Sequence, residues 1–153
     1  MAQQKAYDVT KDSANGSLVF CGKVTYADLT GEATFNWMHD GYDDYKPNPA
    51  YTAYLTENLP KYSLTVFLGT WCDDSHYWVP KLFKLLQTIG YPTEKVELYG
   101  VDRHKQTKNG EQAKYNLTLV PAIIVLKDGK EVGRITESPQ NGLEADLQQI
   151  ISK

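Results

Sequence analysis

The segment that decides the fold is Ser63–Ser75, which reads SLTVFLGTWCDDS. Its first part, residues 63–69, is apolar on both faces and carries β-branched residues, which predicts a buried central strand. A helix is predicted over residues 75–89, because large apolar side chains recur there at helical spacing. Cys72 therefore falls where a buried strand ends and a helix begins, the position at which open α/β sheets build their functional sites.

The sequence on either side of this segment continues in alternating strands and helices. Asn48 and Pro49 are suited to the N-cap and first position of a helix that precedes the central strand. Downstream, the pattern predicts a strand, a short helix, a β-hairpin and a closing helix over residues 96–101, 110–115, 122–136 and 141–151. The βαβ part implies parallel pairing, and the hairpin adds an antiparallel edge. We therefore predict an α/β fold with a mixed central sheet flanked by helices.

Residues 1–47 are predicted to form an N-terminal extension to a main domain of residues 48–153. The composition changes at this point, since the extension is rich in Gly, Asp and aromatic residues. A strand over residues 17–21 and a helix over residues 32–40 are the elements expected within it. Its aromatic side chains would either form a lid that binds a partner or pack against the sheet, and we expect packing.

Composition and charge exclude several classes of protein. The 153 residues include 16 basic and 19 acidic side chains, a net charge of -3 that argues against a nucleic-acid surface. The longest apolar run, residues 120–126, is too short to span a membrane. The first residues, MAQQ, lack the pattern of a signal peptide. A start methionine on a trimmed exported chain would look the same, so a cytoplasmic and a periplasmic or exported location both remain open.

Cys72 is the residue that carries chemistry at this position. The unpaired N–H groups and the positive dipole end of a helix N-terminus favour the thiolate, which is the nucleophilic form of cysteine. Ser75 can donate a hydrogen bond to that thiolate and stabilise it further. Asp73 and Asp74 act in the opposite direction, because two carboxylates beside the sulfur disfavour a third negative charge.

Three features together make the chain resemble the thioredoxin superfamily over residues 48–153. They are the pair Trp71-Cys72 at the strand-to-helix turn, Pro80 within the following helix, and Val120-Pro121 before a Lys-Asp-Gly hairpin. The resemblance implies that Cys72 is the attacking thiol and that the Val120–Pro121 bond is cis and faces it. It also implies that Trp71 shields the sulfur and offers a flat surface to a partner. The expected substrate contacts are Trp71, Asp73, Asp74, Val120 and Pro121.

Two departures from the family pattern predict a monothiol protein. Ser75 stands where the family has its second cysteine, so that the motif reads CxxS and cannot form an internal disulfide. Val66 stands where the family has a buried carboxylate that accepts a proton during two-cysteine turnover. A mixed disulfide on Cys72 is therefore expected to persist until an external thiol releases it. The catalytic residues of this hypothesis are Cys72 and Ser75.

Two alternatives to this hypothesis remain open. In the first, the protein is a redox-inactive binding module that recognises a protein or peptide in the same groove without covalent chemistry. In the second, Cys21, which lies 51 residues before Cys72, serves as a distant resolving thiol. Because cysteine is among the most frequently buried residues, we expect Cys21 to be a buried strand residue instead.

The sequence predicts no metal and no cofactor. Cys72 and His76 lie one helical turn apart, but no second pair at ligand spacing accompanies them, and we expect His76 to be an exposed residue of the first turn. The acidic run His39–Asp44 lacks the spacing of a calcium loop. An iron–sulfur cluster needs more thiolates than the chain supplies. The expected partners are protein or small-molecule thiols and disulfides, and the oligomeric state remains open.

Overall fold

The computed structural model describes residues 6–153, which form six strands and five α-helices in one unit. The strands are β1 (Tyr7–Lys11), β2 (Leu18–Val24), β3 (Ser63–Leu68), β4 (Val96–Gly100), β5 (Ala122–Lys127) and β6 (Lys130–Thr136). The helices are α1 (Tyr26–Thr30), α2 (Asn36–Asp44), α3 (Pro49–Asn58), α4 (Asp73–Thr88) and α5 (Leu143–Ile151). Short 3₁₀ helices occupy Leu59–Lys61, Thr93–Lys95 and Glu111–Tyr115.

All six strands belong to one mixed sheet with the order β1-β2-β4-β3-β5-β6. The central strands β3 and β4 run parallel, with Val66 opposite Leu98, and the remaining neighbours pair antiparallel. Helix α4 connects the two parallel strands, as a βαβ crossover requires. The predicted fold class, an α/β protein with a mixed sheet flanked by helices, is confirmed.

The two faces of the sheet are covered differently. Leu64, Val66 and Leu68 of β3 join the main core, to which α2, α3, α4 and α5 contribute their buried side chains. Phe67 points to the opposite face, since side chains alternate along a strand, and joins a second cluster under the segment that holds the 3₁₀ helix Glu111–Tyr115. This second cluster reaches the end of β3, where Cys72 packs against it.

Local signals explain where the helices of the main domain begin. The Asn48 side chain accepts a hydrogen bond of 3.0 Å from the Ala50 amide, and Pro49 occupies the first turn of α3, as predicted. Helix α4 begins at Asp73, two residues earlier than predicted, with Cys72 as its N-cap. Its Pro80 lies against α2, where Gly41 permits the approach: a Cβ at Gly41 would lie 2.5 Å from Pro80 Cγ.

The extension is built into the same sheet. Strand β2 pairs with β4 and places Gly22 opposite Gly100, and β1 pairs with β2 at the edge. Helix α2 packs on α4 and contributes the buried Met38 to the main core. The predicted strand and helix of the extension correspond to β2 and α2, each displaced toward the C-terminus. Strand β1 and helix α1 were not predicted from the sequence.

Candidate active site

Cys72 lies at the start of α4, directly after the turn that leaves β3. Its backbone is extended, its amide donates to Gly69 O at 2.9 Å, and its carbonyl accepts from the His76 amide at 3.0 Å. The side chain is half-buried and belongs to a free cysteine. Cys72 is therefore partly exposed and lies at the N-terminus of a helix of 16 residues.

The loop before β5 brings Val120 and Pro121 to the same place. The Val120–Pro121 peptide bond is cis. Cys72 Sγ donates a hydrogen bond to Val120 O, with a distance of 3.7 Å between the two atoms. Because β5 pairs with β3, the loop that precedes β5 ends beside the turn that follows β3. Residues 48 positions apart in the sequence thus form one site.

Ser75 is fully buried in the first turn of α4, and its Oγ accepts a hydrogen bond of 3.0 Å from the Gly69 amide. This contact joins the end of β3 to the start of α4. The expected donation from Ser75 to the sulfur is not formed within the described part of the chain, where the thiol donates to Val120 instead. Ser75 as a donor to the ionised sulfur stays a prediction.

Trp71 differs from its expected role. The side chain is only 8% exposed, and its indole N–H donates to Val101 O at 2.8 Å. A Cβ at Gly69 would lie 2.7 Å from the indole, so the ring needs a glycine at that position. The Arg103 guanidinium lies over the ring, 4.5 Å from its centroid. Trp71 therefore packs beside the sulfur and does not offer a free flat surface to a partner.

Arg103 and Asp12 form an ion pair at this site that the sequence did not indicate. Arg103 Nε and Nη2 donate to the two oxygens of Asp12, each at 2.8 Å. The Asp12 side chain is buried and also accepts from the Asn15 amide at 2.9 Å. The bond to Asp12 is the main cause of a raised Arg103 pKa, and the negative charges of Asp12, Cys72 and Asp73 add to it. The guanidinium therefore lies over Trp71, the residue before Cys72.

The pKa of Asp12 predicts how this ion pair responds to acid. The hydrogen bonds from Arg103 lower that pKa from 3.8 to about 2, although burial acts in the opposite direction. A carboxyl group whose pKa is lower in the folded state stabilises the fold at pH values above its ordinary pKa. This stabilisation is lost as the pH falls through the pKa of the folded state. Asp12→Asn should therefore reduce the free energy of unfolding at pH 7, and the loss should shrink between about pH 4 and pH 2, as urea unfolding would show.

A matched control for this prediction is Asp8→Asn. Asp8 pairs with Lys108 at 3.1 Å, but its side chain is 60% exposed, and exposed ion pairs contribute little to stability. We expect a small change that varies little with pH. Equal losses for the two variants at pH 7, or a loss for Asp12→Asn that is unchanged at pH 2, would contradict the role of the buried carboxylate.

The first turn of α4 carries three further ionisable residues. Asp73 and Asp74 are exposed. His76, expected to be exposed, is instead half-buried: its Nε2 lies 2.5 Å from Thr70 O, and its ring stacks on Trp37 with 4.4 Å between the centroids. This stack joins α4 to α2 of the extension. The two carboxylates therefore extend into solvent, while the histidine packs beneath them against the extension.

Two surface depressions flank the stacked His76–Trp37 pair. One is a cleft of about 510 Å³ between Thr70 and the extension, whose wall includes Asn15 and Ser17. The other, of about 340 Å³, is more open, and its lining includes the carboxylates of Asp40, Asp44 and Asp73 as well as Lys81. The extension thus forms walls of both depressions, neither of which is lined by Cys72, and Cys72 itself remains partly exposed.

Cys21 lies on β2, half-buried against the same apolar cluster as Cys72. Its Sγ donates to Gln106 O at 3.3 Å. Burial raises the pKa of the Cys21 thiol, with added repulsion from Asp102 and Asp8. These surroundings disfavour the thiolate and are typical of an unreactive thiol. A resolving role for Cys21 stays a prediction.

Neither a metal site nor a membrane-spanning helix is found in residues 6–153. No group of three or more His, Cys, Asp or Glu side chains in this part of the chain is arranged to hold a metal ion. None of its helices combines the length and the apolar character needed to cross a bilayer.

The fold and the site define the class of protein. A cysteine at the N-terminus of the helix after the central strand, beside a cis X–Pro loop, is the thioredoxin-like arrangement that the sequence resemblance implied. The family model described as Thioredoxin matches residues 48–152, more than half of the chain. The chain therefore belongs to the thioredoxin family.

Individual proteins that are similar to the chain include a curated relative and solved structures. Thioredoxin Y, a chloroplastic protein of Oryza sativa subsp. japonica, is 31% identical over 99 residues, which are 64% of this chain and 54% of that protein. The chain thus spans about half the length of this curated relative. A protein of unknown function from Pseudomonas aeruginosa has the same fold, with a TM-score of 0.54 at 20% identity over 85% of this chain and 81% of that one. Fasciola hepatica thioredoxin matches at 28% identity with a TM-score of 0.42, over 65% and 86% of the two chains.

Proposed function

We propose that the protein is a monothiol thiol–disulfide exchange protein that acts through Cys72. The observation that carries this proposal is the placement of a half-exposed, free Cys72 at the N-terminus of α4, beside the Val120–Pro121 loop. Membership of the thioredoxin family supports thiol–disulfide chemistry in general. The buried Ser75 at the fourth motif position supports the monothiol form, because it leaves no second sulfur within the motif.

The reaction is a single exchange of sulfur partners. The Cys72 thiolate attacks one sulfur of a substrate disulfide, a new S–S bond forms between Cys72 and that sulfur, and the old S–S bond breaks. The released sulfur leaves as a thiolate and takes a proton from solvent. The number of disulfides is unchanged, so that no separate oxidant is needed. A second thiol from solution, a small-molecule or protein thiol, then attacks the mixed disulfide and regenerates Cys72.

The hydrogen bonds around the Cys72 sulfur are suited to its ionisation from thiol to thiolate. The neutral thiol donates to Val120 O, a bond that is lost when the proton leaves. The ionised sulfur then needs donors, which the first-turn amides of α4 supply. Ser75 Oγ accepts from Gly69 and keeps its own hydrogen for donation. Asp73 and Asp74 are exposed, so that water and salt screen their repulsion of the thiolate.

The expected substrates are protein or small-molecule disulfides that present a sulfur to the exposed side of the site. Leu119, the residue before Val120, is 40% exposed and offers an apolar contact next to the cis loop. An extended substrate segment that lies along the Val120–Pro121 loop would reach both Leu119 and Cys72. Trp71 is buried, so we expect it to support the site by packing rather than by contact with the substrate.

The monothiol mechanism predicts the lifetime of the mixed disulfide. In a Cys21→Ser background, bis(2-hydroxyethyl) disulfide, which carries no charge, should leave a stable adduct on Cys72 when no thiol is added. In the same background, Ser75→Cys should leave no adduct, because the introduced thiol attacks the mixed disulfide and closes an internal bridge with Cys72. Intact mass after acid quenching distinguishes the adduct from the bridge.

The two outcomes test separate parts of the proposal. Absence of an adduct in the folded Cys21→Ser protein, with an adduct in the same protein in urea, would contradict thiol exchange at this site. An adduct that disappears equally fast with Ser75 and with cysteine at that position would contradict the monothiol form. Far-UV circular dichroism of both variants controls for the loss of the buried serine.

A further inference from the structure

The N-terminal extension fixes the position of a cation, the guanidinium of Arg103, at the site. Asp12 lies in the extension, outside the matched residues 48–152, and Arg103 lies within them. Their bidentate pair holds the guanidinium over the ring of Trp71, the residue next to Cys72. Asn15 adds a second link from the extension, since its side-chain amide donates to Trp71 O at 3.3 Å.

We propose that Arg103, held in place by Asp12, supplies positive charge that favours the Cys72 thiolate, and that the extension thereby sets the reactivity of the site. This inference rests on the exchange function proposed above. Asp12 occupies Nε and Nη2 of the guanidinium, and no hydrogen bond within residues 6–153 uses Nη1. The group thus keeps donors for a neighbouring anion while its position is fixed.

The elements around the site carry charged side chains of both signs. Helix α4 contributes Asp73, Asp74 and His76, of which the two carboxylates are exposed. The segment after β4 contributes Arg103 and Lys105, and the Lys105 ammonium lies 6.0 Å from the centroid of the Trp71 ring. The extension contributes Asp12, whose carboxylate accepts hydrogen bonds from Arg103 and from the backbone of residues 14 and 15. Arg103 is therefore a cation held by a buried carboxylate, in a region that also carries Lys105 and the exposed carboxylates of Asp73 and Asp74.

Two observations indicate that Asp12 positions the guanidinium rather than merely neutralising it. Asp12 is buried and bonded to the Asn15 amide, so that it provides a rigid anchor. The Arg103 side chain is 46% exposed and would move into solvent without this anchor. Because the interaction between two charges falls with distance and with solvent screening, a released guanidinium would favour the thiolate less.

The test is the rate of Cys72 alkylation by iodoacetamide, an uncharged reagent, as a function of pH in a Cys21→Ser background. Arg103→Gln should move the midpoint of the curve to higher pH and lower the rate at pH 7 by about three- to tenfold, the range expected for loss of one partly exposed cation. At 1 M salt, where the Debye length is about 3 Å, the difference should shrink. A purely structural role of Arg103 would not give this salt dependence.

Three further variants complete the experiment. Arg134→Gln is the matched control, because Arg134 is also paired bidentately, with Glu131 on β6, and should leave the curve unchanged. Asp12→Asn should lower the rate at pH 7 in the same direction as Arg103→Gln, and a faster rate would overturn the anchoring role. Arg103→Lys keeps a charge without the bidentate geometry, so a rate between those of the parent and Arg103→Gln is expected. This variant replaces Arg103→Gln in the test if Arg103→Gln does not fold.

Failure of this inference is distinct from failure of the proposed function. Mixed disulfides on Cys72 with an unchanged alkylation curve in Arg103→Gln would overturn the role of Arg103 and leave thiol exchange intact. If Cys72 in the folded protein forms no mixed disulfide and is not alkylated, the exchange function itself fails. A difference between Arg103→Gln and the parent that persists at 1 M salt would also overturn the electrostatic role.

Discussion

Cys72→Ser should abolish the formation of mixed disulfides with bis(2-hydroxyethyl) disulfide, with a rate at least about 100-fold below that of the parent protein. A serine hydroxyl without an adjacent general base is a weak nucleophile, and it cannot form a disulfide. The variant should keep its fold, because serine is a favoured N-cap residue and Cys72 is the N-cap of α4. Intact mass after acid quenching gives the adduct yield over time.

The matched control is Cys21→Ser, which should keep the adduct yield of the parent. Cys21 Sγ donates to Gln106 O, and burial raises the pKa of its thiol, so that it contributes little thiolate at neutral pH. An adduct of equal yield in Cys72→Ser would place the reactive thiol at Cys21 and contradict the assignment. A Cys21–Cys72 bridge in the oxidised parent, seen as a mass loss without an adduct, would instead support Cys21 as a resolving thiol.

Patterns local in the sequence sufficed to predict most of the strands and helices of residues 48–153. Three of these signals lie within a few neighbouring residues: the apolar run of β3, the helical periodicity of α4 and the Lys-Asp-Gly turn. The parallel pairing of β3 with β4 then followed from the handedness and length of the crossover. The position of Cys72 at the strand-to-helix turn came from the same local signals, which is why its place at the start of α4 could be predicted.

The remainder of the site depends on contacts that leave no local pattern. Asp12 and Arg103 are 91 residues apart, and nothing in either neighbourhood indicates the other. The stacking of His76 on Trp37 likewise depends on how α2 packs on α4. Burial of Trp71 depends on its contact with Val101 beyond the end of β4. Such pairs follow from tertiary packing, which spacing alone does not determine.

The unpredicted elements of the extension have different causes. Strand β1 is a short edge strand whose side chains after Tyr7 are exposed, so it shows no apolar alternation. Helix α1 has only five residues, too few for a helical period. It does carry a detectable signal: Thr25 accepts from the Asp28 amide, and the Asp28 side chain accepts from the Thr25 amide, a reciprocal capping box. A search for this pattern would have located the start of α1.

Gly100→Ala should destabilise the protein by at least about 3 kcal/mol, the range of severe backbone clashes. Gly100 ends β4 opposite Gly22 of β2, and a Cβ at Gly100 would lie 1.8 Å from the carbonyl oxygen of Phe20. That oxygen belongs to the backbone, so no side-chain rotation relieves the overlap. Strand β2 must move away from β4, which breaks the pairing that joins the extension to the sheet. Urea unfolding at pH 7 measures the loss.

Gly110→Ala is the matched control, with an expected loss of about 1 kcal/mol, the strain of a left-handed alanine alone. Gly110 has a positive φ, of 80°, but nothing lies within 4 Å of a Cβ built there. Its substitution therefore tests backbone strain without a clash. Losses of similar size in the two variants would show that the sheet accommodates a Cβ at Gly100, and would contradict the close approach of β2.

The same Gly100→Ala substitution links the stability of the extension to the chemistry of the site. Within the described sheet, strand β1 pairs only with β2. The β2–β4 pairing and the packing of α2 on α4 therefore attach the extension to the main domain. Displacing β2 displaces the segment that follows β1 and holds Asp12, and with it the anchor of Arg103. Folded Gly100→Ala protein should therefore be alkylated at Cys72 more slowly at pH 7, as Arg103→Gln is. An unchanged rate would mean that Arg103 keeps its position without the extension.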